Sequence, residues 1–299
     1  MFLSRTSPSA GAGSAEITGF YDAPTGSIQY LAVDPQTRKG ALIDTVLSFH
    51  PQSASTDSTS AEAILRFAES EGVEIEWILD THPHADHLMA SSFLRERLGV
   101  PNAIGARVRD IAELWRDLYN LPDSFDPDRD FDRLFEDGDR FRIGSLDVRV
   151  MLSPGHTLGS ITYVVGKDAA FVHDTFMQPD AGTSRADFPG GSASDLWQSL
   201  QSILALPEHT RLFIGHDYGT EYRKMPQWDS TVAEQRRHNI HLGGGTDRDS
   251  YIALRESRDA TLTLPDRMLE VLQINLRAGR LPDAEGDGNR YLKIPLNRF

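Results

Sequence analysis

Thr81-His82-Pro83-His84-Ala85-Asp86-His87 sets three imidazoles and a carboxylate into six consecutive positions, His82 to His87. The stretch follows an apolar run at 75–79 that reads as a strand, and it leads into a helix expected from about 87 to 98. Residues two apart on an extended segment share a face. His82 and His84 can therefore point at one ion while Asp86 and His87 approach from the turn into the helix. So dense a donor cluster is costly unless a cation holds it, which favours an ion site over a solvated histidine-rich turn.

Three more donors stand outward of this stretch at the ends of expected strands: His156 in SPGHTLGS, Asp174 in FVHDTF and His216 in FIGHDYG. Each alone reads equally well as a turn residue. Taken in order, they put strand-end donors from two sheets on one edge, where loops carry function on a rigid base. His173, next to Asp174, is expected to face the other way, into packing or solvent. His50, His209, His238 and His241 show no ligand spacing and read as structural or surface residues.

Apolar runs between turn signals give three strands over 17–49, a helix over about 59–71 closing at Gly72, a short strand at 103–104 and a helix at 108–118. The acidic segment PDSFDPDRDFDRLFEDGD reads as a surface loop. Four short strands follow from 140, then a helix at 194–204, a strand at 211–214 and helices at 232–241, 247–258 and 265–278. Two halves, each running strands first and helices after, pack naturally as an α/β four-layer helix–sheet–sheet–helix (αββα) sandwich. The expected boundaries are a flexible N-terminal tail at 1–16, the sandwich at 17–242 and a C-terminal helical extension at 243–299 packed on the same domain.

The 299 residues carry a formal charge of -14, with ten histidines and no cysteine. Absence of cysteine excludes disulfides, thiolate-ligated zinc, iron–sulfur clusters and a cysteine nucleophile. The acidic balance opposes a nucleic-acid partner, because phosphate binding needs a basic face. No run approaches the roughly 18 apolar residues of a membrane span, and the start lacks a signal-peptide core, so the expectation is a cytoplasmic protein without a membrane partner.

In the order HxHxDH, His156, Asp174, His216, the chain resembles the metallo-β-lactamase-fold superfamily over about 17–218, which implies an αββα sandwich with its ligands on one edge. A narrower resemblance, to the glutathione-dependent persulfide dioxygenases, lies in Arg185, Asp187, Phe188, Gly190, Leu196, Trp197, Ser199, Leu206 and Pro207 before the final His-Asp-Tyr. Asn239-Ile240-His241 and the C-terminal extension resemble a bacterial branch of that family. The resemblance implies one Fe(II) per chain held by His82, His156 and Asp174. His84, Asp86, His87 and His216 would be retained around it to orient ligands, position water or donate protons. It implies oxidation of glutathione persulfide by O2 and water to glutathione and sulfite, with no protein nucleophile, and it is compatible with a homodimer. For the anionic substrate, Arg185, Arg223 and Lys224 are candidate clamps and Tyr218 a candidate hydrogen-bonding group.

The same donors also suit a zinc hydrolase with one or two Zn(II). His82, His84 and His156 would form one site, Asp86, His87 and His216 the other, and Asp174 would bridge. A metal-bound water with its pKa lowered towards about 7 would attack a thioester, lactone or β-lactam. Spacing does not choose between the two. A metal-binding module without turnover is opposed by the intact set of seven donors.

Overall fold

Asp34 shows how the strand meander is punctuated: its carboxylate accepts from Gln36 N at 3.0 Å and Thr37 Oγ1 at 2.7 Å, closing the turn that Arg38 completes in the left-handed region at φ 56°. The protein is described by a computed structural model covering residues 3–299. Its chain opens with β1 (Leu3–Ser7), β2 (Glu16–Asp22), β3 (Ser27–Val33) and β4 (Lys39–Ile43), all antiparallel neighbours. β5 (Val46–His50) and β6 (Ser55–Asp57) turn away, α1 (Thr59–Ser70) crosses over, and β7 (Glu74–Leu79) returns parallel to β4. β8 (Leu88–Met89), α2 (Ser91–Leu98), β9 (Asn102–Gly105), α3 (Val108–Tyr119), α4 (Pro127–Asp130) and β10 (Arg133–Phe135) complete the first half.

The second half begins with the antiparallel strands β11 (Arg140–Ile143), β12 (Leu146–Leu152), β13 (Ile161–Val165) and β14 (Ala169–His173). After α5 (Ala193–Leu204) come β15 (Arg211–Ile214), parallel to β14, and β16 (Asp229–Thr231). α6 (Val232–His238), α7 (Arg248–Asp259) and α8 (Met268–Asn275) follow. The sheets run β1-β2-β3-β4-β7-β9-β10 and β11-β12-β13-β14-β15-β16, with a small sheet β6-β5-β8 beside them.

Period-two alternation sorts β3 between two faces. Tyr30 and Ala32 enter the core between the sheets with Val150, Tyr163 and Phe171, whereas Leu31 and Val33 pack with Ile64 of α1 and Leu94 of α2. Tyr30 meets Phe171 and Phe213 edge-on at 5.2 and 5.6 Å, tying the sheets together where β14 and β15 end. The two sheets packed face to face with helices outside form a four-layer helix–sheet–sheet–helix sandwich.

Several local expectations need correction. The segment expected as a flexible tail instead pairs β1 with β2, and buried Ser14 donates to Asp168 at 2.8 Å; residues 1 and 2 lie outside the described residues. α2 starts at Ser91 and not near 87, because Leu88 and Met89 pair with Leu47 and Val46. The acidic loop contains α4 and β10 and buries Phe125 and Phe131, apolar anchors that its charge density obscures. In the C-terminal extension α8 is shorter than expected, and no helix is assigned after it. Among the described residues no helix is long and apolar enough to cross a membrane.

Candidate metal centre

β7 delivers Asp80 and Thr81 to the edge where β12, β14 and β15 also end, and there the loop 82–87 meets the donors of the second sheet. His82 Nε2 lies 3.7 Å and His156 Nε2 3.6 Å from Asp174 Oδ2, with all three side chains buried. These separations are too long for hydrogen bonds and suit ligands converging on one ion. The surrounding network assigns the tautomers. Thr81 Oγ1 donates to Asp44 Oδ2 at 2.8 Å, so it accepts from His82 Nδ1–H at 3.0 Å. His156 Nδ1–H donates to the Arg185 carbonyl at 2.9 Å. Both imidazoles therefore turn an Nε2 lone pair inward, the arrangement that orients metal-ligating histidines. Two nitrogens and a carboxylate oxygen with an open side are a fitting donor set for non-haem iron or for zinc.

The neighbouring donors are arranged differently. His84 Nε2–H donates to Asp44 Oδ1 at 3.1 Å and His87 Nδ1–H to Asp86 Oδ2 at 2.9 Å, which leaves His84 Nδ1 and His87 Nε2 buried without partners. With Asp86 these atoms form a second group able to hold an ion. His216 lies between two carboxylates: Nδ1–H donates to Asp174 Oδ1 at 2.6 Å and Nε2–H to Asp86 Oδ2 at 2.7 Å. Burial pulls His216 down, yet Asp174 and Asp86 together hold it well above the ordinary imidazole range. Burial pushes both carboxyls up, and His216 overrides it, holding each well below its usual range. His82, with burial and then His84 acting on it, is held well below an ordinary imidazole.

The centre opens into a cleft of about 590 Å³. Arg185 lines it with its guanidinium committed: two bonds of 2.7 Å to Asp187, one of 2.7 Å to the Thr263 carbonyl, and a stack on Phe188, which itself sits edge-on to His156. Arg223 lies off the cleft lining, bound to Asp180 through two contacts of 2.9 Å and also to Asp217, while Lys224 donates to the Thr220 carbonyl. Tyr218 does line the cleft, stacked on His216 at 5.7 Å and 68% exposed. Sequence reasoning missed two cations there. Arg258 and Arg267 line the mouth, and among the described residues neither guanidinium has a hydrogen-bond or ion-pair partner. It also missed Asn275 of α8, fully buried, which accepts from Met89 N at 2.8 Å and donates to the His84 and His87 carbonyls at 2.7 Å each. The available signal was a pair of amides, Gln273 and Asn275, at the end of the apolar α8; nothing in the sequence marks the two arginines.

Residues 26–216 match the family model of the Metallo-beta-lactamase superfamily. The chain is 54% identical over 281 residues to the Beta-lactamase hydrolase-like protein of Xylella fastidiosa, covering 94% of itself but only 64% of that protein's length. It is 41% identical over 288 residues to Glyoxylase B2 of Dictyostelium discoideum, covering 95% of this chain and 97% of that one. Among solved structures it is similar to ETHE1 from Myxococcus xanthus, with a TM-score of 0.69 and 28% identity over 88% of this chain and 98% of the other.

Proposed function

Because the chain belongs to the metallo-beta-lactamase superfamily, we propose that it uses one metal of the kind that fold supports, as an iron(II)-dependent persulfide dioxygenase. The reaction is glutathione persulfide plus O2 and water giving glutathione, sulfite and two protons. The outer sulfur is oxidised, O2 is reduced, and the sulfur–sulfur bond breaks. One observation carries the mononuclear reading: both ring nitrogens of His216 are engaged by carboxylates, at 2.6 Å to Asp174 and 2.7 Å to Asp86. A second ion could use this ring only by displacing one of those contacts with its proton, and only Oδ2 of Asp174 faces His82 and His156. The Arg185-to-Pro207 motif supports the reaction class, and the likeness to ETHE1 is compatible with it.

Iron(II), when bound by His82, His156 and Asp174, would supply open coordination positions and the one-electron chemistry that O2 requires. The chain's own residues do the rest. Asp44 through Thr81, and the Arg185 carbonyl, hold the two imidazoles in the ligating tautomer. Phe188, held under Arg185, walls one side of the cleft, and Arg258 and Arg267 face it as uncommitted cations for the substrate carboxylates. His216 holds protons between Asp174 and Asp86 beside the reacting face.

A zinc hydrolase is the second reading, and a specific observation favours it: the bare His84 Nδ1 and His87 Nε2 beside Asp86 form a second donor group. The names of the Xylella and Dictyostelium relatives lean the same way. Metal analysis of protein from iron-supplemented cells, paired with oxygen uptake on adding glutathione persulfide, separates the readings. One iron per chain and O2 consumed in step with sulfite is the expected result; two zinc ions without oxygen uptake would overturn it.

A further inference from the structure

β14 does not run straight into Asp174. Its register with β15 shifts between Phe171 and His173, and His173 adopts φ 41°, in the left-handed region. A bulge of this kind bends the strand end and re-aims the next side chain, here the Asp174 carboxylate, and glycine is the residue that takes such a dihedral without strain. A histidine at the position carries backbone strain that glycine would not, so backbone geometry alone does not explain it.

The side chain does. His173 is 1% exposed, and its ring centroid lies 5.1 Å from that of His82, tilted by 48°. Its Nε2 is 3.0 Å from Thr175 Oγ1 and 3.4 Å from Ser153 Oγ, while Nδ1 has no hydrogen-bond partner. Ser153 is tied in turn to Thr162 at 2.9 Å, anchoring the ring to β13. Thr81 fixes His82 at Nδ1, and the ring centroid of His84 lies 4.1 Å from that of His82. His173 therefore packs beside the imidazole of His82 while its backbone turns into Asp174.

We infer that His173 is a positioning residue of the metal centre, a strained bulge imidazole that braces His82 beside the Asp174 it orients. The inference rests on the metal-triad part of the proposed function and not on the choice of iron or zinc chemistry. Neither partner contact of His173 is to a ligand atom, so its effect passes through ligand geometry.

Cobalt(II) is the probe. The full chain, His173→Gly and His173→Asn are loaded with it, the visible absorption band is recorded, and affinity is measured by chelator competition, with thermal unfolding of the metal-free proteins alongside. Glycine satisfies the left-handed backbone but removes the ring; asparagine tolerates the dihedral and keeps a short polar group. Affinity is expected to fall roughly 10–100-fold in His173→Gly and at least about 3-fold in His173→Asn, with a shifted band, in the range of losses seen when groups behind metal ligands are removed. Parental affinity within about twofold and a superimposable band in either variant overturn the inference. So does a drop in the metal-free unfolding midpoint with the band unmoved, which is what simple packing would give. Should His173→Gly fail to fold, His173→Asn decides by the same criteria. A parent chain that binds no cobalt at the edge would overturn the triad reading itself, a failure distinct from parent and variants binding alike.

Discussion

His82, His156 and Asp174 lie beside His84, Asp86 and His87, and the two groups contain the same residue types in the same proportion. They differ in what their remaining atoms do. In the first group every non-ligating polar atom is occupied by a neutral hydroxyl, a backbone carbonyl or His216 Nδ1–H, and the ligating atoms face one another across 3.6 and 3.7 Å. In the second, Asp86 Oδ2 already serves three groups: His87 at 2.9 Å, His216 at 2.7 Å and Ser27 at 2.8 Å. His84 Nδ1 and His87 Nε2 are free there as well, but a cation held through Asp86 Oδ2 would compete with those three bonds, while one entering the first group displaces none. Donor type does not distinguish the clusters; the prior commitments of their lone pairs do.

Breaking that contrast gives the largest expected effect. His156→Ala or Asp174→Ala should abolish iron binding, as loss of one of three ligands would, whereas His84→Ala should cost roughly 10–100-fold and still retain iron, as loss of an outer group does. Chelator competition with metal analysis reads both. Equal loss at His84 would mean that the second cluster ligates, and the dinuclear zinc reading would then replace the mononuclear one.

The contiguous half of the centre was readable in the sequence because four donors crowd the loop directly after β7, although the structure sorts His82 and His84 into different donor groups and not onto one strand face. The dispersed half was readable only as strand-end residues in order, since His156, Asp174 and His216 meet through sheet pairing that spacing does not show. The fold followed from apolar runs broken by turn signals, which mark β3, β7 and β12 to β14. What stayed hidden has a common cause: commitments made by partners distant in sequence. Arg185 and Arg223 are attractive cations in the chain and spent ones in the fold, neutralised by Asp187 and by Asp180 with Asp217. Asn275 reaches the loop it braces from almost two hundred residues away, at a separation of 191 from His84.

A smaller effect sharpens the same point at the mouth of the cleft. Arg258→Ala and Arg267→Ala should each raise the Michaelis constant for glutathione persulfide by about tenfold, the scale of one lost charge-assisted contact, with kcat within about twofold because neither touches the metal edge. Arg185→Ala should instead depress kcat, since it releases Phe188 from beside His156. Steady-state oxygen uptake separates the two patterns. A rise confined to the Michaelis constant in Arg185→Ala, with none in the other two, would return the clamp to Arg185.

The smallest expected effect uses His241, a buried imidazole away from both clusters, to isolate what burial alone does. Its Nδ1 accepts from Thr183 N at 2.9 Å, and burial, reinforced by Arg255 and Arg258, pushes the ring down to about 4. A proton on Nδ1 would face that N–H directly. Between pH 6.5 and about 4 the unfolded chain thus binds a proton at this site that the folded chain refuses. The contribution of His241 is complete above pH 6.5 and is lost as pH falls through that window, by about 1–2 kcal/mol after allowance for partial solvent screening. His241→Gln preserves an acceptor for Thr183 N and does not titrate. Denaturant unfolding of the metal-free proteins at several pH values should therefore show a shallower loss of stability on acidification in the variant than in the parent. Identical slopes would mean that burial with Arg255 and Arg258 does not hold the ring neutral. His216 gives the contrast: burial, with Arg255 and Arg258, pushes the His241 ring down, whereas at His216 two carboxylates outweigh burial and push it up, so the charges around a buried imidazole decide the sign.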